Sequence, residues 1–140
     1  MKSKILISLL LALVMLFTLT APSLADKPVK TEEIVQTGWG SGNITFNYSW
    51  SGWGAWGVLV RAYQYNAASG AFIKVYKSQL YPTPNGKRVT NFTGTQYIEY
   101  DDSDTYQWRL YMYLVKKNGN YIRQGGATAY AYTDKFTIAP

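Results

Sequence analysis

The chain contains neither cysteine nor histidine, and the two absences remove more chemistry than any motif adds. Without cysteine there is no disulfide, no thioether-linked lipid anchor and no thiolate nucleophile. Without histidine the Ser-His-Asp and Cys-His arrangements are excluded, and so are all common zinc sites. No Gly-rich phosphate loop of the GxxxxGK type occurs, and no strand–helix unit exists to hold one. These exclusions predict a protein that is not an enzyme and uses no cofactor or metal. Long apolar runs are equally scarce: one, at the amino terminus.

That run has the build of an export signal. Lys2 and Lys4 precede an almost unbroken apolar stretch from Ile5 to Leu19. Thr20, Pro22 and Ser23 then break it, and Ser23-Leu24-Ala25 presents small residues where a signal peptidase cuts. The stretch is short for a spanning helix. Residues 1–25 therefore read as a cleaved signal peptide, and the product as secreted and extracellular. A secreted domain of this size without disulfides points to a bacterial exporter. Cleavage takes the 14 Lys and Arg to 12 against 8 Asp and Glu, a net charge of +4 in place of +6. So modest a charge argues against nucleic acid as a partner and favours anionic polymers or an anionic membrane surface.

What the chain has in abundance is aromatic side chains: 13 Tyr, 5 Trp and 5 Phe. Residues 26–37 are polar and read as a leader ending in a short edge strand, and residues 38–140 as a single domain. Gly38, Gly40 and Gly42 predict a loop carrying Trp39, and Ser51–Gly54 a second loop carrying Trp53. Between them Ile44, Phe46, Tyr48 and Trp50 alternate with polar residues, the period of a half-buried strand. Strands follow over Trp56–Tyr65 and Phe72–Leu80, joined by a hairpin at Asn66–Gly70. Arg88–Tyr100 reads as shorter strands broken near Gly94. Tyr106, Trp108, Leu110, Met112 and Leu114 share one face of the strongest strand, with Arg109, Tyr111 and Tyr113 on the other. Asn118-Gly119 predicts a type I′ turn, and Tyr121–Gln124, Ala127–Tyr132 and Lys135–Ile138 close the chain.

No helical period appears. Seven or eight antiparallel strands at this spacing predict an all-β sandwich. The order of strands resembles a fibronectin type III or immunoglobulin-like domain, a resemblance that implies a binding or spacing role; a jelly roll is the alternative. The cysteine pair of antibody domains is missing, and Trp108 is not placed as their core Trp is.

Two constellations remain. Glu99, Asp101, Asp102 and Asp104 cluster; they read first as a solvated turn, with glycoside hydrolysis or calcium binding as the other uses of such a cluster. The aromatics are the more distinctive. Trp39 and Trp53, each flanked by glycines, are expected near one end of the sandwich, where they either cap the core or stack on a sugar ring or lipid interface. Tyr63, Tyr65, Tyr111 and Tyr113, with Arg61 and Arg109 between them, are expected as a flat platform on one sheet. The expected ligand-binding residues are thus Trp39, Trp53, Tyr63, Tyr65, Arg109, Tyr111 and Tyr113, and the expected partner an extracellular polysaccharide or cell-wall polymer. A cationic membrane-active protein and a structural or protein-interaction sandwich are the alternatives. The sequence is silent on oligomeric state. Asn43, Asn47 and Asn91 head glycosylation triplets, which matter only in a eukaryotic secretory route.

Overall fold

The computed structural model describes residues 30–101 and 106–138; the expected signal peptide, Asp102 and Asp104 lie outside the described residues. Among these residues the chain is all-β, in ten strands: β1 (Thr31–Gly40), β2 (Asn43–Ala55), β3 (Gly57–Asn66), β4 (Phe72–Pro82), β5 (Val89–Glu99), β6 (Tyr106–Val115), β7 (Arg123–Gln124), β8 (Ala127–Thr128), β9 (Tyr130–Tyr132) and β10 (Phe136–Thr137). One sheet has the order β1-β2-β5. The other runs β10-β6-β3-β4, with β9 also on β6, and β7-β8 is a small separate ribbon. Every pairing is antiparallel.

Period-two patterning sets the core. Ile44, Phe46, Tyr48 and Trp50 turn inward from β2, Val58, Val60 and Ala62 from β3, and Trp108, Leu110, Met112 and Leu114 from β6, forming one buried cluster between the sheets. Phe46 meets Tyr81 edge-on across it, ring centroids 5.6 Å apart. The chain changes sheets at Trp56, whose amide donates to the Val115 carbonyl (3.0 Å) and whose carbonyl accepts from the Thr83 amide (3.0 Å). The adjacent Gly57 has no room for a side chain: a Cβ there would lie 2.6 Å from the Tyr81 carbonyl oxygen and 2.9 Å from Pro82 Cα. Gly57→Ala is expected to cost about 1–3 kcal/mol through this overpacking, read as a lower urea midpoint; an unchanged midpoint would show that β3 and β4 can part there without loss.

Several local expectations are corrected. The segment read as a leader contributes residues 31–37 of a ten-residue edge strand, β1, paired with β2 along its length. Gly38 and Gly40 belong to that strand. The connection is the two residues Ser41-Gly42, both at positive φ (53° and 79°), the geometry of a type I′ turn. Ser51–Gly54 is no loop either: it continues β2 through an irregularity in register between Ser51 and Ala55. Gly94 does not break β5. It sits opposite Tyr48, and a Cβ there would meet the Phe92 and Tyr48 rings at 2.8 and 3.1 Å, so glycine makes room for aromatics. At Asn118-Gly119 only the glycine has positive φ (85°), and its amide donates to the Lys116 carbonyl (2.9 Å). That is a type I turn followed by a left-handed glycine rather than type I′.

Candidate functional site

The outward faces of β3, β6 and β9 carry a group of neighbouring tyrosines. Register builds it: Arg61 lies opposite Tyr111 and Tyr63 opposite Arg109, while Tyr111 faces Tyr132 and Tyr113 faces Tyr130. Because alternate residues point the same way, these side chains share one face. Tyr111 is central, with ring centroids 4.7 Å from Tyr63, 5.1 Å from Tyr132, 6.2 Å from Tyr113 and 6.4 Å from Tyr130. Tyr121 extends the row by stacking on Tyr113 at 4.8 Å.

Planes within the row are nearly parallel, 12° for Tyr111–Tyr130 and 14° for Tyr113–Tyr121. Offset stacking of this kind is a favoured geometry for neighbouring aromatic rings. Tyr130 and Tyr132 are 46% and 52% exposed. The Tyr63 and Tyr113 hydroxyls are 3.4 Å apart. Burial, followed by this contact, pushes the Tyr113 phenol above its ordinary range.

Two cations lie among the rings. The Arg61 guanidinium lies 5.4 Å from the Tyr113 ring centre and 5.7 Å from that of Tyr121; the Arg109 guanidinium lies 4.9 Å from that of Tyr132. Such contacts hold a guanidinium over a ring face while its N–H groups remain donors.

Of the expected residues, the structure thus brings together Tyr63, Arg109, Tyr111 and Tyr113. Tyr65 is at the margin and buried, with Phe72 5.9 Å away edge-on and the Lys135 ammonium 4.2 Å from its ring centre; its phenol is raised, first by burial. The two tryptophans belong to the other sheet and are not near one another. Trp39 pairs with Ile44 beside the β1–β2 turn, whereas Trp53 follows Ser51, the partner of Thr31 at the far end of β1, roughly 25 Å away at strand rise. Trp39 is 42% exposed. Trp53 is half-buried against the core, its indole N–H donates to Glu32 (2.7 Å), and the Lys30 ammonium sits 4.6 Å from its ring centre.

Tyr121, Tyr130 and Tyr132 were not anticipated. A signal for two of them was present: Tyr130-Ala-Tyr132 repeats the Tyr-x-Tyr spacing of Tyr63-Gln-Tyr65 and Tyr111-Met-Tyr113.

The five-stranded sheet holds no carboxylate on any strand, so the array offers no general acid–base pair. It offers hydroxyls, which donate and accept, and guanidinium donors. Glu99 is engaged by Lys77 at 3.0 Å. No protein-family model matches the chain, nor does any curated protein or solved structure match it significantly.

Proposed function

We propose that this chain is a secreted, non-enzymatic binding module for carbohydrate or cell-wall polymer, and that the tyrosine array is its ligand surface. One observation carries the reading: six tyrosines, Tyr63, Tyr111, Tyr113, Tyr121, Tyr130 and Tyr132, form a continuous group of neighbouring rings on and beside one sheet. Ordinary cross-strand pairing explains two such rings; it does not explain six on a solvent-facing surface. A polyhydroxylated chain laid along the row meets donors and acceptors at each step. The signal-like residues 1–25 support export. The sheet orders β1-β2-β5 and β4-β3-β6-β9 or β10 support an immunoglobulin or fibronectin type III-like arrangement, a common host for binding surfaces.

Pull-down with insoluble polysaccharides and purified cell walls tests the proposal. Tyr111→Ala removes the central ring and Tyr132→Ala an exposed one; each is expected to weaken retention about tenfold, the worth of one or two hydrogen bonds, with far-ultraviolet circular dichroism unchanged for Tyr132→Ala. Trp39→Ala, on the other sheet, is expected to leave retention intact. Loss in Trp39→Ala alone would move the ligand surface elsewhere, and no retention by any polymer would end the carbohydrate reading.

A further inference from the structure

Charge is divided between the two sheets without exception among the described strands. The three-stranded sheet carries Glu32, Glu33 and Glu99 and no Lys or Arg. The five-stranded sheet carries Arg61, Lys74, Lys77 and Arg109 and no Asp or Glu. Among the described residues the one salt bridge joins Lys77 to Glu99, which leaves Arg61 and Arg109 uncompensated beside the tyrosines. They are diagonal neighbours across β3 and β6, about 7–8 Å apart at the backbone. Beyond Arg61 an open groove of about 550 Å³ runs off the array, and its charged lining residues are Arg61, Lys116 and Arg123, with Tyr121 beside them.

From this arrangement we infer that the polymer bound on the tyrosine array is anionic, a polysaccharide or polyol chain bearing sulfate, carboxylate or phosphate groups, with Arg61, Lys116 and Arg123 taking its charges. The inference rests on the carbohydrate reading above and names its substrate class. Guanidinium and phenol hydroxyl both donate to anionic oxygens, and charge-assisted bonds of this kind are about twice as strong as neutral ones. A cation held over a ring, with no carboxylate paired to it among the described residues, gains most from an anion supplied by a ligand. Single-stranded nucleic acid fits less well, because its bases need free ring faces to stack on and here guanidinium groups lie over the rings of Tyr113, Tyr121 and Tyr132. A lipid surface would engage the apolar side chains exposed on β4, Phe72, Val75 and Leu80, rather than the guanidinium-flanked rings, and the vesicle arm below tests it.

The experiment measures retention of the mature chain on immobilised dextran sulfate, polygalacturonate and a poly(glycerol phosphate) wall polymer, against neutral dextran and neutral wall glycan. Phosphatidylglycerol vesicles and poly(dT) are further arms. At least one anionic polymer is expected to bind about tenfold more tightly than neutral dextran, and Arg61→Gln to remove about that factor, the worth of one charge-assisted hydrogen bond. Lys87→Gln, the same charge change at an exposed position outside the sheet, is expected to leave binding within about twofold, the effect of diffuse charge alone. Equal loss in Arg61→Gln and Lys87→Gln would overturn the inference, since binding would then follow net charge. Tighter binding to vesicles or poly(dT) than to every polysaccharide would overturn it as well. Retention on neutral glycans equal to that on anionic ones, lost in Tyr132→Ala, would overturn the anionic class while the carbohydrate surface stands. No retention on any glycan would remove both.

Discussion

Trp108→Ala is expected to lower folding stability by about 3–5 kcal/mol, the usual cost of truncating a fully buried aromatic to alanine. Trp108 is 0% exposed. It faces Gln64 on β3 and Phe136 on β10, and Tyr76 and Tyr100 pack edge-on against it at 5.2 and 6.0 Å. One residue thus joins β6 to both neighbouring strands and to β4, and rings wedged on several sides cannot collapse into the space it vacates. Against a total of about 5–15 kcal/mol for a domain, most of the margin would go. Trp108→Phe sharpens the test. The Trp108 indole N–H is buried without a hydrogen-bond partner among the described residues, so phenylalanine gives up volume and no bond. Trp50, by contrast, donates to the Val89 carbonyl at 2.9 Å, and Trp50→Phe would leave that carbonyl unpaired at a further cost of about 1 kcal/mol. Urea midpoints should therefore fall in the order wild type, Trp108→Phe, Trp50→Phe, Trp108→Ala; a loss under about 1 kcal/mol in Trp108→Ala would mean that the site closes up.

Alkali is expected to unfold the domain before it unfolds a typical protein. Burial raises the phenols of both Tyr48 and Tyr81 above the ordinary value of 10.0, and Tyr48 and Tyr97 push Tyr81 further in the same direction. Above pH 10 the unfolded chain releases these protons while the native state keeps them. The native state then binds more protons, so the free energy of unfolding falls as pH rises. This contribution is complete below pH 10 and is lost progressively as pH climbs towards the native-state values, at about 1.4 kcal/mol per pH unit for each such tyrosine. Urea midpoints from about pH 8 to about pH 11 should be level at first and then drop steeply. Tyr81→Phe should flatten the drop by one proton. At neutral pH it should cost about 1 kcal/mol, because the Tyr81 hydroxyl donates to the Tyr97 carbonyl at 2.5 Å. A slope unchanged in Tyr81→Phe would assign the alkaline transition to other groups.

How much of this could be read from the residues alone depended on burial. β2, β3 and β6 each hide one face and show the other, so their alternation wrote itself into the sequence. β1 hides only Ile34 completely, and Glu32-Glu33 beside it read as a polar leader; an edge strand needs few apolar residues because most of it faces water. Gly94 looked like a strand break since nothing local reveals that the Tyr48 and Phe92 rings occupy the space over it. Half of the tyrosine array was legible from β3 and β6. The rest depended on β9 landing beside β6, a pairing of distant segments that no local pattern encodes. Trp39 and Trp53 misled for the same reason: glycine neighbours suggested loops, but strand register decides which end of a sheet a residue occupies.

The same distant pairings set the order in which the fold can assemble. The β1–β2 and β3–β4 hairpins are local, yet β2 is completed by β5 and β3 by β6, with Ile44 beside Ile98 and Val60 beside Met112, partners roughly fifty positions apart. Closing loops of that length before any core forms places folding in the slow, millisecond-to-second class of all-β domains. Until β5 and β6 are free to move, β2 and β3 lack the strands that complete their sheets, and the part of the core that Ile98, Trp108, Leu110, Met112 and Leu114 supply is missing. Such a chain completes its core only when most of it has been made, so its stability arrives late in synthesis.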